Sequence, residues 1–202
     1  PTITVTDENG KTYTATVTLK VEPKQLTGLG IDLASTWVYK ETKTPTLKGV
    51  EGLTPDDYAI TYSKKDNSEN YGNIMPILVG EYKATLSITN PNYTASEASV
   101  NFEITPIDTE VKVKSYDAEF TYDGSEHTKN AYDVLWANNA SPVADNKLPN
   151  GDLVTAEITG KVRDVKDTAL ENNTIGKITI TNADGVDVTN CYSNIKKSAG
   201  KL

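Results

Sequence analysis

Apolar residues recur at every second position along most of this chain, and that spacing restricts the fold more than any other feature. In "KTYTATVTLKV", residues 11 to 21, Tyr13, Ala15, Val17, Leu19 and Val21 are separated by Thr or Lys. A period of two places all five on one face of a strand and leaves the other face wet. The alternation returns at Tyr82, Ala84, Leu86 and Ile88, at Val100, Phe102 and Ile104, and at Val154, Ala156 and Ile158. No stretch keeps a period of 3.6 over three turns, so long helices are excluded as the building material. Pro and Gly punctuate the chain, while Thr and Val dominate the strands. Asn9-Gly10, directly after "TITVT", reads as a two-residue hairpin turn. The predicted fold class is all-β, a string of antiparallel β-sandwiches.

Internal repetition divides the string. "LKVEPKQL" (19–26) and "FEITPIDT" (102–109) share one grammar, a closing strand with alternating apolar residues followed by a proline and a new beginning. Boundaries are therefore expected near Pro23 and Pro106. Residues 1–22 read as the terminal hairpin of a preceding module, 23–106 as one sandwich module and 107–202 as another. Both modules present an aromatic strand ending in Tyr, a Thr-rich polar turn, a strand, a Gly-led strand, and a last strand opened by Asn or Cys and Tyr. The chain starts at Pro1 and ends in "KSAGKL", which suggests a piece of a longer polypeptide.

Charge narrows the partners. Twenty Lys+Arg against 28 Asp+Glu give 20 − 28 = −8, a field that repels phosphate backbones and anionic headgroups, so no nucleic acid is expected as a partner. No apolar run approaches the roughly 18 residues of a membrane span, and no membrane contact by this segment is expected. Cys191 is the single cysteine, and an intrachain disulfide is excluded.

The stretch "FTYDGSEHTKNAYDV", with Tyr122-Asp123-Gly124 followed by Thr128, the "NGDLV" and "ITG" segments, and "ITITNADGVDVTNCYSNI" resemble the Ig-like MBG, or Tyr-Asp-Gly, repeats of large bacterial surface proteins. The resemblance covers 107–202 closely and 24–106 more loosely, through "VYKETKTPT", "DDYAITY" and "VGEYKATLSITNPNY". Two departures stand out: Tyr39-Lys40-Glu41 replaces Tyr-Asp-Gly in the first module, and Cys191 replaces a polar residue before Tyr192. The resemblance implies tandem Ig-like sandwiches of extracellular bacterial origin, at the cell surface or secreted, used as spacers or adhesive modules rather than catalysts.

The residues themselves agree with a non-catalytic reading. Asp123-Gly124 fits a tight turn, with Gly124 free to take a positive φ and the carboxylate free to accept a backbone N–H. His127 is the only histidine, so a metal site or a Ser-His-Asp triad would rest on it alone, and no catalytic residue, metal or cofactor is assigned. Asp184, Asp187 and Asp56-Asp57 lack the spacing of a dedicated calcium loop and read as turn carboxylates. Trp37, beside Val38 and Tyr39, reads as core. Trp136, in "VLWANNASPVADN", reads as the better exposed aromatic and the candidate glycan contact. Cys191 reads as a small buried hydrophobe. Asn92, Asn139 and Asn172 satisfy the N-glycosylation pattern, unmodified in a bacterial protein.

The expected function is a non-enzymatic structural or adhesive stalk segment of a bacterial cell-surface protein. Its partners are an unidentified protein or glycan ligand and the neighbouring modules of the same chain. The alternative is an accessory carbohydrate-binding module of a secreted polysaccharide-degrading enzyme. No Lys-Asn isopeptide cross-link is expected in either module, because Lys24, Lys112 and Lys114 sit among polar or alternating residues that face water.

Overall fold

The structure, a computed structural model, describes residues 1–202, all strand, turn and loop apart from four three-residue 3-10 turns. Strands β1 (Thr2–Thr6) and β2 (Thr12–Thr16) form an antiparallel hairpin with Ile3 opposite Ala15 and Val5 opposite Tyr13. Its turn is one residue longer than the Asn9-Gly10 pair implied. The Asp7 N–H donates to Lys11 O and the Gly10 N–H to Asp7 O, which makes a three-residue loop with Gly10 at φ +80°. The cause is Asp7, whose Oδ1 accepts the N–H groups of Asn9 and Lys11 at 3.0 and 2.9 Å and holds the wider turn. Every residue of both strands is exposed. The alternation is therefore present here without a core.

Residues 24–105 carry β3 (Lys24–Gln25), β4 (Gly30–Asp32), β5 (Thr36–Val38), β6 (Thr46–Lys48), β7 (Tyr58–Lys64), β8 (Asn70–Gly72), β9 (Gly80–Ile88), β10 (Tyr93–Thr94) and β11 (Ala98–Thr105). The main sheet runs β5-β11-β9-β7-β8, with small sheets β4-β6 and β3-β10 beside it. Tyr82, Ala84 and Leu86 of β9 and Phe102 and Ile104 of β11 are buried, as the alternation predicts. Trp37 is also in the core, its ring stacked on Phe102 at 4.9 Å, while Tyr82 stacks on Phe102 at 5.4 Å and Tyr62 meets it edge-on.

Residues 107–202 carry β12 (Val111–Ser115), β13 (Tyr132–Trp136), β14 (Leu153–Ile158), β15 (Ile175–Thr181) and β16 (Ile195–Ser198). They form a three-stranded sheet β13-β12-β16 and a two-stranded sheet β14-β15. Val111, Val113, Val134, Val154, Ile178 and Ile180 fill the space between.

The expected all-antiparallel pairing holds only in part. β5 lies parallel to β11, and β12 parallel to β16. In both halves a strand from the early part of the half, the third in one and the first in the other, lies beside the last strand, which runs the same way because the chain crosses most of the unit between them. The halves also begin alike. Lys24, just after Pro23, pairs in parallel with Tyr93, and Ile107, just after Pro106, bridges in parallel to Tyr192. No strand ladder crosses Pro106, yet the buried side chains of both halves join in a single cluster of 19 residues. The two halves therefore meet through packed side chains.

Candidate functional site

Two places concentrate chemistry: a joint near Pro106 and a cleft at the far end of residues 107–202. The joint is built on Asp152, which is fully buried. Its Oδ1 accepts a hydrogen bond from Lys40 Nζ at 2.6 Å, and its Oδ2 accepts one from the Tyr192 hydroxyl at 2.7 Å. Asn150 Nδ2 donates to the same hydroxyl at 2.7 Å. Lys40 reaches the carboxylate from a turn closed by the Glu41 N–H on Val38 O, with Lys40 at φ +75°. The Tyr39 ring meets Tyr192 edge-on at 6.1 Å, and Trp136 meets Tyr192 edge-on at 6.4 Å. Burial lowers the Lys40 pKa, but the hydrogen bonds its ammonium donates to Asp152 and Tyr39, with the charge of Asp152, outweigh it and leave the pKa raised. Burial first, then Asp152, raises both Tyr39 and Tyr192. All three shifts keep the protons where the network uses them.

Lys40 and Asp152 lie 112 positions apart, and sequence reading assigned neither. Its signal was present all the same, in the lysine that departs from the Tyr-Asp-Gly pattern. Trp136, expected to be the better exposed of the two tryptophans, is half-buried against Tyr192 beside this network, whereas Trp37 is buried. Cys191 is buried within the joint, and burial pushes its thiol up.

The cleft is lined by the Tyr-Asp-Gly stretch itself. Beyond β12 the chain is clamped by Asn173, fully buried, whose Nδ2 donates to Tyr116 O at 2.8 Å and Lys129 O at 3.1 Å. Ser115 Oγ donates to Asn173 O and accepts the Gly200 N–H at 2.9 Å. Gly160 presses on this knot so closely that a Cβ there would sit 2.3 Å from Asn173 Cα. His127 exchanges both backbone hydrogen bonds with Val162. Asp123 Oδ1 accepts the Ser125 N–H at 2.8 Å and lies 3.0 Å from His127 Nε2, with Gly124 at φ +83°. The imidazole stacks flat on Phe120 at 4.7 Å and 11°. Segments 117–122, 162–171 and 199–202 enclose about 1050 Å³ of open cleft.

Asp123 is therefore a turn carboxylate that also steadies a ring. The Ser125 N–H and then His127 hold its pKa below the usual carboxylate value, so its contribution to stability is present above that value and disappears as pH falls through the shifted one. Asp123→Ala is expected to lower the melting temperature slightly at neutral pH and not at all near pH 2. A loss that persists at low pH would assign the effect to something other than the charged turn.

The other candidate carboxylates have local duties. Asp57 accepts from Thr54 and Asn90, and Asp187 from the N–H and hydroxyl of Thr189. No group of three or more His, Cys, Asp or Glu side chains converges as metal ligands would. Lys112 pairs with its near neighbour Glu110 at 2.9 Å, and Lys24 and Lys114 are exposed. Asn172 spends its amide on Asp167 O, Leu202 O and the Leu202 N–H. Comparison with protein-family models finds none that matches the chain, and comparison with curated proteins finds no match either.

Proposed function

We propose that the chain is a non-enzymatic structural or adhesive stalk segment of a bacterial cell-surface protein, made of Ig-like modules of the MBG kind set end to end. The observation that carries this reading is the joint at Asp152. A flexible linker would leave the ends of two units solvated and free to reorient. Here Lys40 of one half is drawn onto a fully buried carboxylate of the other, and Tyr39, Tyr192 and Trp136 pack around the pair. Each half begins just past a proline with the same parallel pairing to a tyrosine, as repeats of one unit would. A segment of this kind transmits position from one end to the other, which is the task of a spacer.

Residual dipolar couplings test it. Residues 24–105 and 107–202 are expected to fit one common alignment tensor in the intact chain. Two tensors of different orientation or magnitude would mean that the halves move independently and would remove the basis of the stalk reading. Antibody against the chain is expected to label intact cells that express the parent protein.

A further inference from the structure

The cleft around Phe120 and Tyr122 exposes aromatic surface that the fold does not use. Trp37, Tyr39, Tyr62, Tyr82, Phe102 and Tyr192 are buried, whereas Tyr122 is 61% and Phe120 40% exposed. Val165 and Leu170, across the cleft, are 77% and 80% exposed. Holding rings in water forgoes the gain of burying them. The Phe120 ring is also held still: His127 covers one of its faces, and the Val162 backbone and the Asp123 carboxylate secure His127. A ring fixed before a ligand arrives loses little entropy on binding.

Charge identifies the ligand class. Asp117, Glu119, Asp164, Glu171, Arg163 and Lys201 line the cleft, and none of them is ion-paired to a side chain of opposite sign. Four carboxylates and two cations thus surround an apolar patch. A lipid tail would strand these six charges, and an acidic ligand would meet both the four carboxylates and the net charge of −8. A pyranose ring matches both parts, laying its C–H face on the electron-rich aromatic face while its hydroxyls reach the charged rim. The volume of about 1050 Å³ accommodates several such rings.

We propose that this cleft is a binding site for a neutral oligosaccharide, with Tyr122 and Phe120 as the stacking platform. The site goes beyond the stalk reading and stands independently of it. It also lies away from Trp136, the aromatic that the sequence singled out.

The test is a titration of the 202-residue chain with chitohexaose, mannohexaose, maltohexaose and cellohexaose, followed by amide and imidazole NMR shifts. At least one neutral hexamer is expected to shift residues 117–122, 162–171 and the His127 ring in a saturable manner, and oligogalacturonate to bind at least tenfold more weakly. Tyr122→Ala is expected to weaken binding about tenfold or more with an unchanged melting temperature, and Tyr13→Ala on the exposed hairpin to leave it unaltered. Three results overturn the proposal: no shift with any of the four hexamers, shifts that map outside the cleft, or broadening of the cleft residues with protein concentration alone, which would make the face a contact between copies. In each of these cases a common alignment tensor would still uphold the stalk reading.

Discussion

Lys40→Met is expected to destabilise the chain by about 3 kcal/mol, at the lower end of the range for breaking a buried ion pair by removing one partner. The Asp152 side chain is 0% exposed and keeps only the Tyr192 hydroxyl when the ammonium is gone. The effect sits at the low end because the Lys40 side chain is itself 35% exposed, so water already screens part of the pair. Asp152→Asn retains an acceptor for Tyr192 and removes the charge, and is expected to cost about 1–3 kcal/mol. Urea unfolding of the three proteins measures both, and a Lys40→Met loss below about 1 kcal/mol would mean that apolar packing alone holds the joint. Alkali provides a second check. Tyr39, Tyr192 and Lys40 all have raised pKa values, so their contribution is complete below the unfolded values and drains away as pH rises beyond about 10. The Cys191 thiol, also raised by burial, starts a small decline at about pH 8.5, so the melting temperature is expected to slip slightly between pH 8 and 9 and to fall steeply by pH 11.

Asn173→Ala has the next largest expected effect, about 2–4 kcal/mol, from two part-buried hydrogen bonds lost and their carbonyls left without donors. Tyr116 O and Lys129 O both depend on its amide. Removing the buried Asn173 Oδ1, which has no partner, offsets part of the loss. Because the same amide anchors both ends of the 116–129 segment, the variant is also expected to raise hydrogen exchange at Tyr116, Ala118 and His127, whose N–H groups are bonded to Ala131, Lys201 and Val162, before global unfolding. Exchange that rises uniformly over the chain would mean that Asn173 supports the fold without positioning the cleft.

Local periodicity carried most of what was legible. Tyr82, Ala84 and Leu86, Phe102 and Ile104, and Val154 are inward-facing as their spacing predicts. The same spacing at Ile3, Val5 and Tyr13 leads to exposed faces, since a period tells which residues share a face and not whether anything covers it. The parallel pairings were illegible because they join segments far apart: Trp37 lies beside Ile104, and Val111 beside Ile195. The cleft was half-read. Asp123 and Gly124 make the turn expected of them, but Phe120 and Tyr122 became candidates only once 162–171 and 199–202 were folded opposite. The polar neighbours of Trp136 make it the better exposed tryptophan, as it is beside the buried Trp37, but nothing local shows that Tyr192 covers one edge of its ring.

The parallel contact of an early strand with the last strand of each half has a mechanical meaning. A pull on the two ends of such a unit drags β5 and β11, or β12 and β16, in opposite directions along their length. The bonds between them are then loaded together in shear instead of being peeled apart one at a time. Rupture must break the ladder as a set, so extension meets its main resistance at the start. Tension applied between the ends of either half would thus fall on the pairing best placed to withstand it.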